Sequence, residues 1–131
     1  MFNNKGQSLV AFLLIIPIIL ILLIVVVDVG RMYLLRQELD NINYIAIDYG
    51  ICNNNNDSQE EIINKINEIV FVNDMEIKII SNRIEDNKIY LETEKDYQGY
   101  FLGLINKKFI KIKSKYVGYF VGEKKYIERV K

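Results

Sequence analysis

The sequence predicts an α+β protein: one long N-terminal helix, a short second helix and a small antiparallel sheet of three strands. Three observations predict it. Nineteen consecutive residues, 9–27, carry no charge and are nearly all Leu, Ile or Val. Apolar side chains then recur at spacings of three and four. Beyond residue 74 the apolar period drops to two, the period of a strand with one buried face.

The charge-free run comes first. At the rise of a helix it reaches roughly 28 Å, one hydrocarbon core. A cleaved secretory signal has a shorter apolar core and a small-x-small site behind it. Here Asp28-Val29-Gly30-Arg31 follows instead, so a retained transmembrane helix over residues 7–29 is expected. Lys5 marks one flank, and Arg31 and Arg36 mark the other. Flanking charge therefore does not orient the helix.

The helix is expected to continue into water over residues 30–50. Met32, Leu35, Leu39, Ile42, Ala46 and Tyr49 form a seam on one face, and Arg36, Glu38, Asp40 and Asn43 fall off it. The seam is expected to pack on the chain's own sheet rather than in a coiled coil. Gly50 reads as the helix stop. Asn53 to Asp57 read as a polar loop, and Cys52 just before it as a small buried residue.

An α+β domain is expected over residues 51–123. Ser58 and Glu61 form a capping-box pattern that starts the second helix. Its apolar face is Ile62, Ile63, Ile66, Ile69 and Val70, and Glu61 is spaced to pair with Lys65. Asn73-Asp74 ends it. Met75, Ile77 and Ile79 alternate with Glu76 and Lys78 as a first strand. Asp86-Asn87 is a turn before Ile89, Leu91 and Thr93. Residues 99–106 read as a loop that packs back on the domain. Residues 109–116 alternate again, with Lys111, Lys113 and Lys115 on one face, balanced by Glu92 and Glu94 across the strand pair. The charged tail 124–131 is expected to fray.

Composition narrows the function. Lys+Arg and Asp+Glu balance at 17 each, so no net field draws nucleic acid. One cysteine and no histidine leave no internal disulfide, no zinc site and no His base. Roughly 100 residues after the apolar run make one small domain. No Gly-rich phosphate loop, no nucleophile with a base and no singled-out carboxylate pair stands in it. The expectation is a non-enzyme with no cofactor, no metal and no small-molecule substrate. The late aromatics Tyr97, Tyr100, Phe101, Tyr116, Tyr119, Phe120 and Tyr126 read as core and sheet surface, some of them open to a partner.

Residues 5–50 resemble the TadE-like minor pseudopilins of tight-adherence (Tad, or Flp) pilus systems. The resemblance is carried by Gly6-Gln7-Ser8-Leu9-Val10-Ala11-Phe12, Pro17, Asp28-Val29-Gly30-Arg31, Gln37, Leu39 and Asn41. It implies a pilin-like fold and cleavage by a prepilin peptidase between Gly6 and Gln7. It also implies a cytoplasmic leader over residues 1–6 and a domain outside the membrane. The implied partners are membrane lipid, the peptidase, other pseudopilins and a membrane assembly platform. Ala11, Phe12, Pro17, Asp28, Gly30 and Arg31 become helix-packing and assembly positions. Asp28 and Arg31 are also spaced for an i, i+3 ion pair at the interface.

One position departs from the family. The fifth residue after the implied cut is usually Glu, and here it is Ala11. A carboxylate at membrane depth is costly unless paired. With Ala11 the chain carries neither that cost nor that pairing device. This suits an accessory, initiating or tip subunit better than a repeating one. Pro17 removes a helical hydrogen bond to the carbonyl of Leu13, and membrane helices tolerate that loss. The alternative function is an uncut, single-pass, membrane-anchored binding module unrelated to pili.

Overall fold

The structure is a computed structural model that describes residues 4–53, 58–105 and 109–130. Helix α1 runs unbroken over Asn4–Cys52, with Pro17 inside it. Helix α2 spans Gln59–Asn73. Strands β1 (Lys78–Glu85) and β2 (Lys88–Tyr97) follow, then a short helix α3 (Tyr100–Leu104). Strands β3 (Ile110–Val121) and β4 (Lys124–Arg129) close the fold. The four strands form an antiparallel meander in chain order. The α+β class and the long first helix are as the sequence predicts.

α1 divides into two halves. In the first, Leu9, Phe12, Leu14, Leu20 and Val26 are all exposed. In the second, Leu39, Ile42, Ala46, Ile47 and Ile51 are buried with Ile62, Ile66 and Val70 of α2 and Ile89 and Leu91 of β2. The seam therefore packs on the chain's own sheet and on α2. It is wider than Met32-to-Tyr49 spacing suggests. Asn43, expected off the seam, is fully buried at its centre. Its side-chain N–H donates to the Ser114 carbonyl at 3.2 Å, and its oxygen accepts from the Thr93 hydroxyl at 2.9 Å. A buried amide with both ends satisfied costs little and fixes how helix and sheet register.

Two glycines decide how closely the layers approach. An added Cβ at Gly118 of β3 would lie 2.2 Å from Ile47 Cγ2 and 2.4 Å from Ile51 Cδ1. One at Gly50 would lie 2.9 Å from Ile89 Cδ1. Gly50 is thus a packing position inside α1 and not its stop.

α2 starts and ends where the sequence places it. The Ser58 side chain accepts from the Glu61 N–H at 3.3 Å, and Asp74 is the C-cap. The expected Glu61–Lys65 pair is replaced by Lys65–Glu68 at 3.3 Å. Both lie on the exposed face, where such pairs exchange at little cost.

The first strand begins later than expected, at Lys78, and runs to Glu85. A bulge between Ile79 and Ser81 shifts its phase. Ile79 before the bulge and Ile84 after it are both half-buried against the core, which hides the strand from a strict period-two reading. Asp86 and Asn87 both have positive φ, 52° and 62°, as a type I′ hairpin turn needs.

The sheet has four strands rather than three. The segment expected to fray as a charged tail supplies β4. Gly122, at φ 65°, opens the two-residue turn before it. Its charges then find partners on α1. Arg129 Nη2 meets Asp40 Oδ2 at 2.8 Å, and Lys125 Nζ pairs with Asp48. Ile127 packs at the edge of the core. The register also sets Glu92 opposite Lys115 and Glu94 opposite Lys113, the charge pairing expected from the sequence. Residues 54–57 of the expected loop, Asn106 and Lys131 lie outside the described residues.

Candidate functional site

The place where α1 passes from bare helix to packed helix is a built junction. Asp28 ends the charge-free run and is only 3% exposed. Its Oδ1 accepts from the Tyr97 hydroxyl at 3.0 Å and from the Tyr100 N–H at 3.0 Å. Its Oδ2 accepts from the Phe101 N–H at 2.7 Å. One side chain of α1 thereby holds the end of β2 and the first turn of α3.

Each partner has a local reason to be there. Tyr97 is the last residue of β2, on the helix-facing side of the strand with Ile89, Leu91 and Thr93. The first N–H groups of a helix have no partner within it, and here a carboxylate from another element takes two of them. Gly99 is the N-cap of α3. A Cβ on Gly99 would lie 2.8 Å from Asp28 Oδ2 and 2.9 Å from the Tyr97 ring. Glycine leaves the space through which the carboxylate reaches the backbone. Burial, and then the hydrogen bond to the Asp28 carboxylate, raise the pKa of Tyr97. The phenol therefore stays a donor at neutral pH.

Arg31 stands beside this clasp. Its Nη1 donates to the Tyr100 hydroxyl at 3.2 Å, and the guanidinium lies 5.1 Å from the centre of the Tyr100 ring. The expected Asp28–Arg31 ion pair is not the main contact of either residue. Asp28 turns inward to backbone donors, and Arg31 turns onto an aromatic face, a favourable place for a guanidinium.

The other sequence-derived positions are strung along α1 away from the domain. Gly6 and Gln7 lie in its first turns. Ala11, Phe12 and Pro17 are exposed on the bare half, with Phe12 61% exposed. Gly30 is exposed, and nothing lies within 4 Å of where its Cβ would be. Ala11 stands about 25 Å along the axis from Asp28. Only Asp28 and Arg31 of the set meet, through Tyr100.

Tyr97, Gly99, Tyr100 and Phe101 are the members that sequence reading does not assign to this site. Its one signal was the late aromatic cluster, which the spacing gives no reason to join to residue 28. Cys52, expected to be buried, is exposed at the far end of α1, and its thiol lies 4.0 Å from Asp48 Oδ1.

A second polar node lies on the same side of the sheet. Lys95 Nζ pairs with Asp74 Oδ2, with both side chains largely buried. Burial raises the Asp74 pKa, but hydrogen bonds from Lys95 and the Glu76 N–H outweigh it, and the net shift is downward. The same Asp74 contact raises Lys95. This pair closes the end of α2 onto β2.

Among the described residues no group of three or more His, Cys, Asp or Glu side chains is placed to hold a metal ion. One helix, α1, is long and apolar enough to cross a membrane.

Residues 6–42 match the family model described as TadE-like protein. No curated protein and no solved structure matches the chain. The matched span begins at Gly6, runs through the bare half of α1 and the Asp28 junction, and ends inside the packed half.

Proposed function

We propose that this chain, TadE-like over residues 6–42, is a membrane-anchored minor pseudopilin-like subunit of a Tad-type pilus or a related secretion filament. It acts in assembly, initiation or tip formation, and its work is associative rather than catalytic. The observation that carries the reading is the division of α1. The matched span couples a bare apolar half of membrane-crossing length to a half that is packed into a domain.

In this reading the peptidase cuts after Gly6, the leader is cytoplasmic and the domain lies outside. Gly6 and Gln7 sit in the first turns of α1, where helices fray most readily, so an extended substrate segment costs little to form. Glycine lowers that cost further. Ala11 places no charge in lipid, so the subunit rests in the membrane without a paired neighbour. Phe12 and Pro17 shape the lipid-facing surface that other pseudopilins meet. Gly30, with open space around it, admits a neighbouring helix at close range. The implied partners are lipid, the peptidase, other pseudopilins and an assembly platform.

The test is the intact mass of the membrane-extracted protein, with and without a prepilin peptidase in the same cell. Loss of residues 1–6 only when the peptidase is present supports the reading. An intact chain in both cells overturns processing and favours an uncut anchored binding module. Mass is the better readout, because a free N-terminal Gln7 can cyclise and block sequencing. Ala11→Glu tests the accessory role separately: the variant is expected to change assembly or membrane retention, and no change in either would remove that argument.

A further inference from the structure

The two ends of the sheet differ in chemistry. At one end the hairpin turns carry Asp86-Asn87 and Gly122-Glu123, with Phe120 and Val121 the exposed apolar side chains beside them. At the other, where β2 passes into α3 and back to β3, the exposed side chains are Tyr100, Leu104, Ile105 and Phe109, each at least half exposed. Met75, 74% exposed, lies just before β1 in a hollow with Phe109 whose other lining residues, Glu76, Lys78, Lys95, Asp96 and Gln98, are charged or polar. Exposed apolar groups gathered at one end of a small domain call for a cover.

Their position says what the cover is. Asp28 holds the Tyr100 and Phe101 N–H groups at 3.0 and 2.7 Å. Asp28 is also the first charge after the membrane-crossing run. α3 therefore begins one hydrogen bond from the edge of the hydrocarbon. A five-residue helix is about 7 Å long, so all of α3 stays within about 10 Å of that level. The headgroup layer is about 5–8 Å deep on each face. Arg31 and Tyr100 have the composition of that layer, a cation beside an aromatic with a polar tip.

We infer that α3, with Ile105 and Phe109, is a second membrane contact: an apolar foot that lies in the lipid interface beside the transmembrane helix and sets the tilt of the domain. This rests on the reading that α1 spans the membrane. The occupant is lipid and not a partner subunit, because the patch is continuous with the apolar surface of α1 and lies at its boundary. Asp28 is the positioning residue. It holds the foot at one height on α1, so domain and helix meet the bilayer as one body.

The chain has no tryptophan, so a single introduced one reports its own surroundings. Leu104→Trp and Phe109→Trp change exposed positions and leave the core alone. Leu20→Trp reports the transmembrane run, and Val121→Trp reports the far hairpin. The full chain is reconstituted in phosphatidylcholine vesicles whose lipid is brominated either just below the headgroup or deep in the chain. Leu104→Trp and Phe109→Trp are expected to be quenched by the shallow lipid at least about twofold more than Val121→Trp, and more by the shallow lipid than by the deep one. Leu20→Trp should show the reverse depth order. Quenching at Leu20 with none at Leu104 and Phe109 overturns the foot and leaves the anchor standing. Deep quenching exceeding shallow at Leu104 overturns the interfacial placement. No quenching at Leu20 overturns the anchor, and the foot with it.

Discussion

The two halves of α1 are built from the same few side chains and live in different solvents. Leu20 is 54% exposed and Leu39 is fully buried, yet both lie in one unbroken helix. The first half is apolar on every side, as lipid requires. The second half buries one apolar face, with Arg36, Gln37 and Asn41 exposed around it beside Tyr33, Leu34, Tyr44 and Ile45. Asp28 stands between them and joins the helix to the α3 end of the sheet. The contrast teaches that helix length came from local sequence, while the change of environment comes from the core that the second half packs on, with one polar junction at the boundary.

The largest effect should separate the halves directly. Leu39→Ala removes a fully buried side chain and is expected to destabilise the domain by about 2–5 kcal/mol in denaturant titrations in detergent micelles. Leu20→Ala, on the bare half, should stay within about 0.5 kcal/mol in the same titration. Comparable losses from both would mean that the bare half also packs on the domain.

Asp28→Ala should come next. It leaves two backbone donors and the Tyr97 hydroxyl without their acceptor, at a cost of about 2–3 kcal/mol. Hydrogen exchange would show the loss first at the Tyr100 and Phe101 amides, with the Leu39 region unchanged. Equal loss of protection throughout would make Asp28 part of the core and not a junction.

Acid should act on the domain through Asp74. Its carboxyl ionises below the ordinary value of 3.8 in the folded state, because Lys95 and the Glu76 N–H hold the charged form against burial. A lowered folded pKa means the unfolded chain takes up the proton first. The stabilisation is therefore complete above about pH 4 and is lost as the pH falls through the folded value. Asp74→Asn should flatten this limb in denaturant titrations run at pH values from neutral down to acid. Lys95 gives the mirror case: its stabilisation is complete below 10.5 and is lost as pH rises through its higher folded value.

The smallest effect is at Gly30. Gly30→Ala meets open space and should stabilise α1 by about 0.5–1 kcal/mol, the ordinary gain of alanine in a helix. If it also impairs filament assembly, Gly30 is a contact for a neighbouring helix. Gly118→Ala should do the opposite and destabilise, since its Cβ would overlap Ile47.

Much of this molecule is local, and local features were legible in the sequence. The charge-free run, the Ser58 cap, the Asp74 stop, the Asp86-Asn87 turn and the alternation of β2 each depend on neighbours within a few residues. Helix period, capping and turn chemistry act at that range. The opposed Glu and Lys rows on β2 and β3 were legible for the same reason, once the two strands pair.

What only the tertiary structure decided involves partners far apart in the chain. Residue 43 looks polar and so looks exposed, and only Ser114 and Thr93 make its burial cheap. The segment 124–129 looks like a charged tail, and only its pairing with β3, the packing of Ile127 and the Asp40 and Asp48 carboxylates make it a strand. Asp28 looks like half of a local ion pair with Arg31. Its true partners are about seventy positions away, because a buried carboxylate seeks the strongest unsatisfied donors, and the start of α3 supplies them. Sequence alone thus determined a helix that can cross a membrane and, beyond it, α2, the first hairpin and the strand pairing with it, but not α3 or β4. The fold determined how that helix is clasped to the domain, since the pairing of polar groups depends on which of them the packing leaves without water.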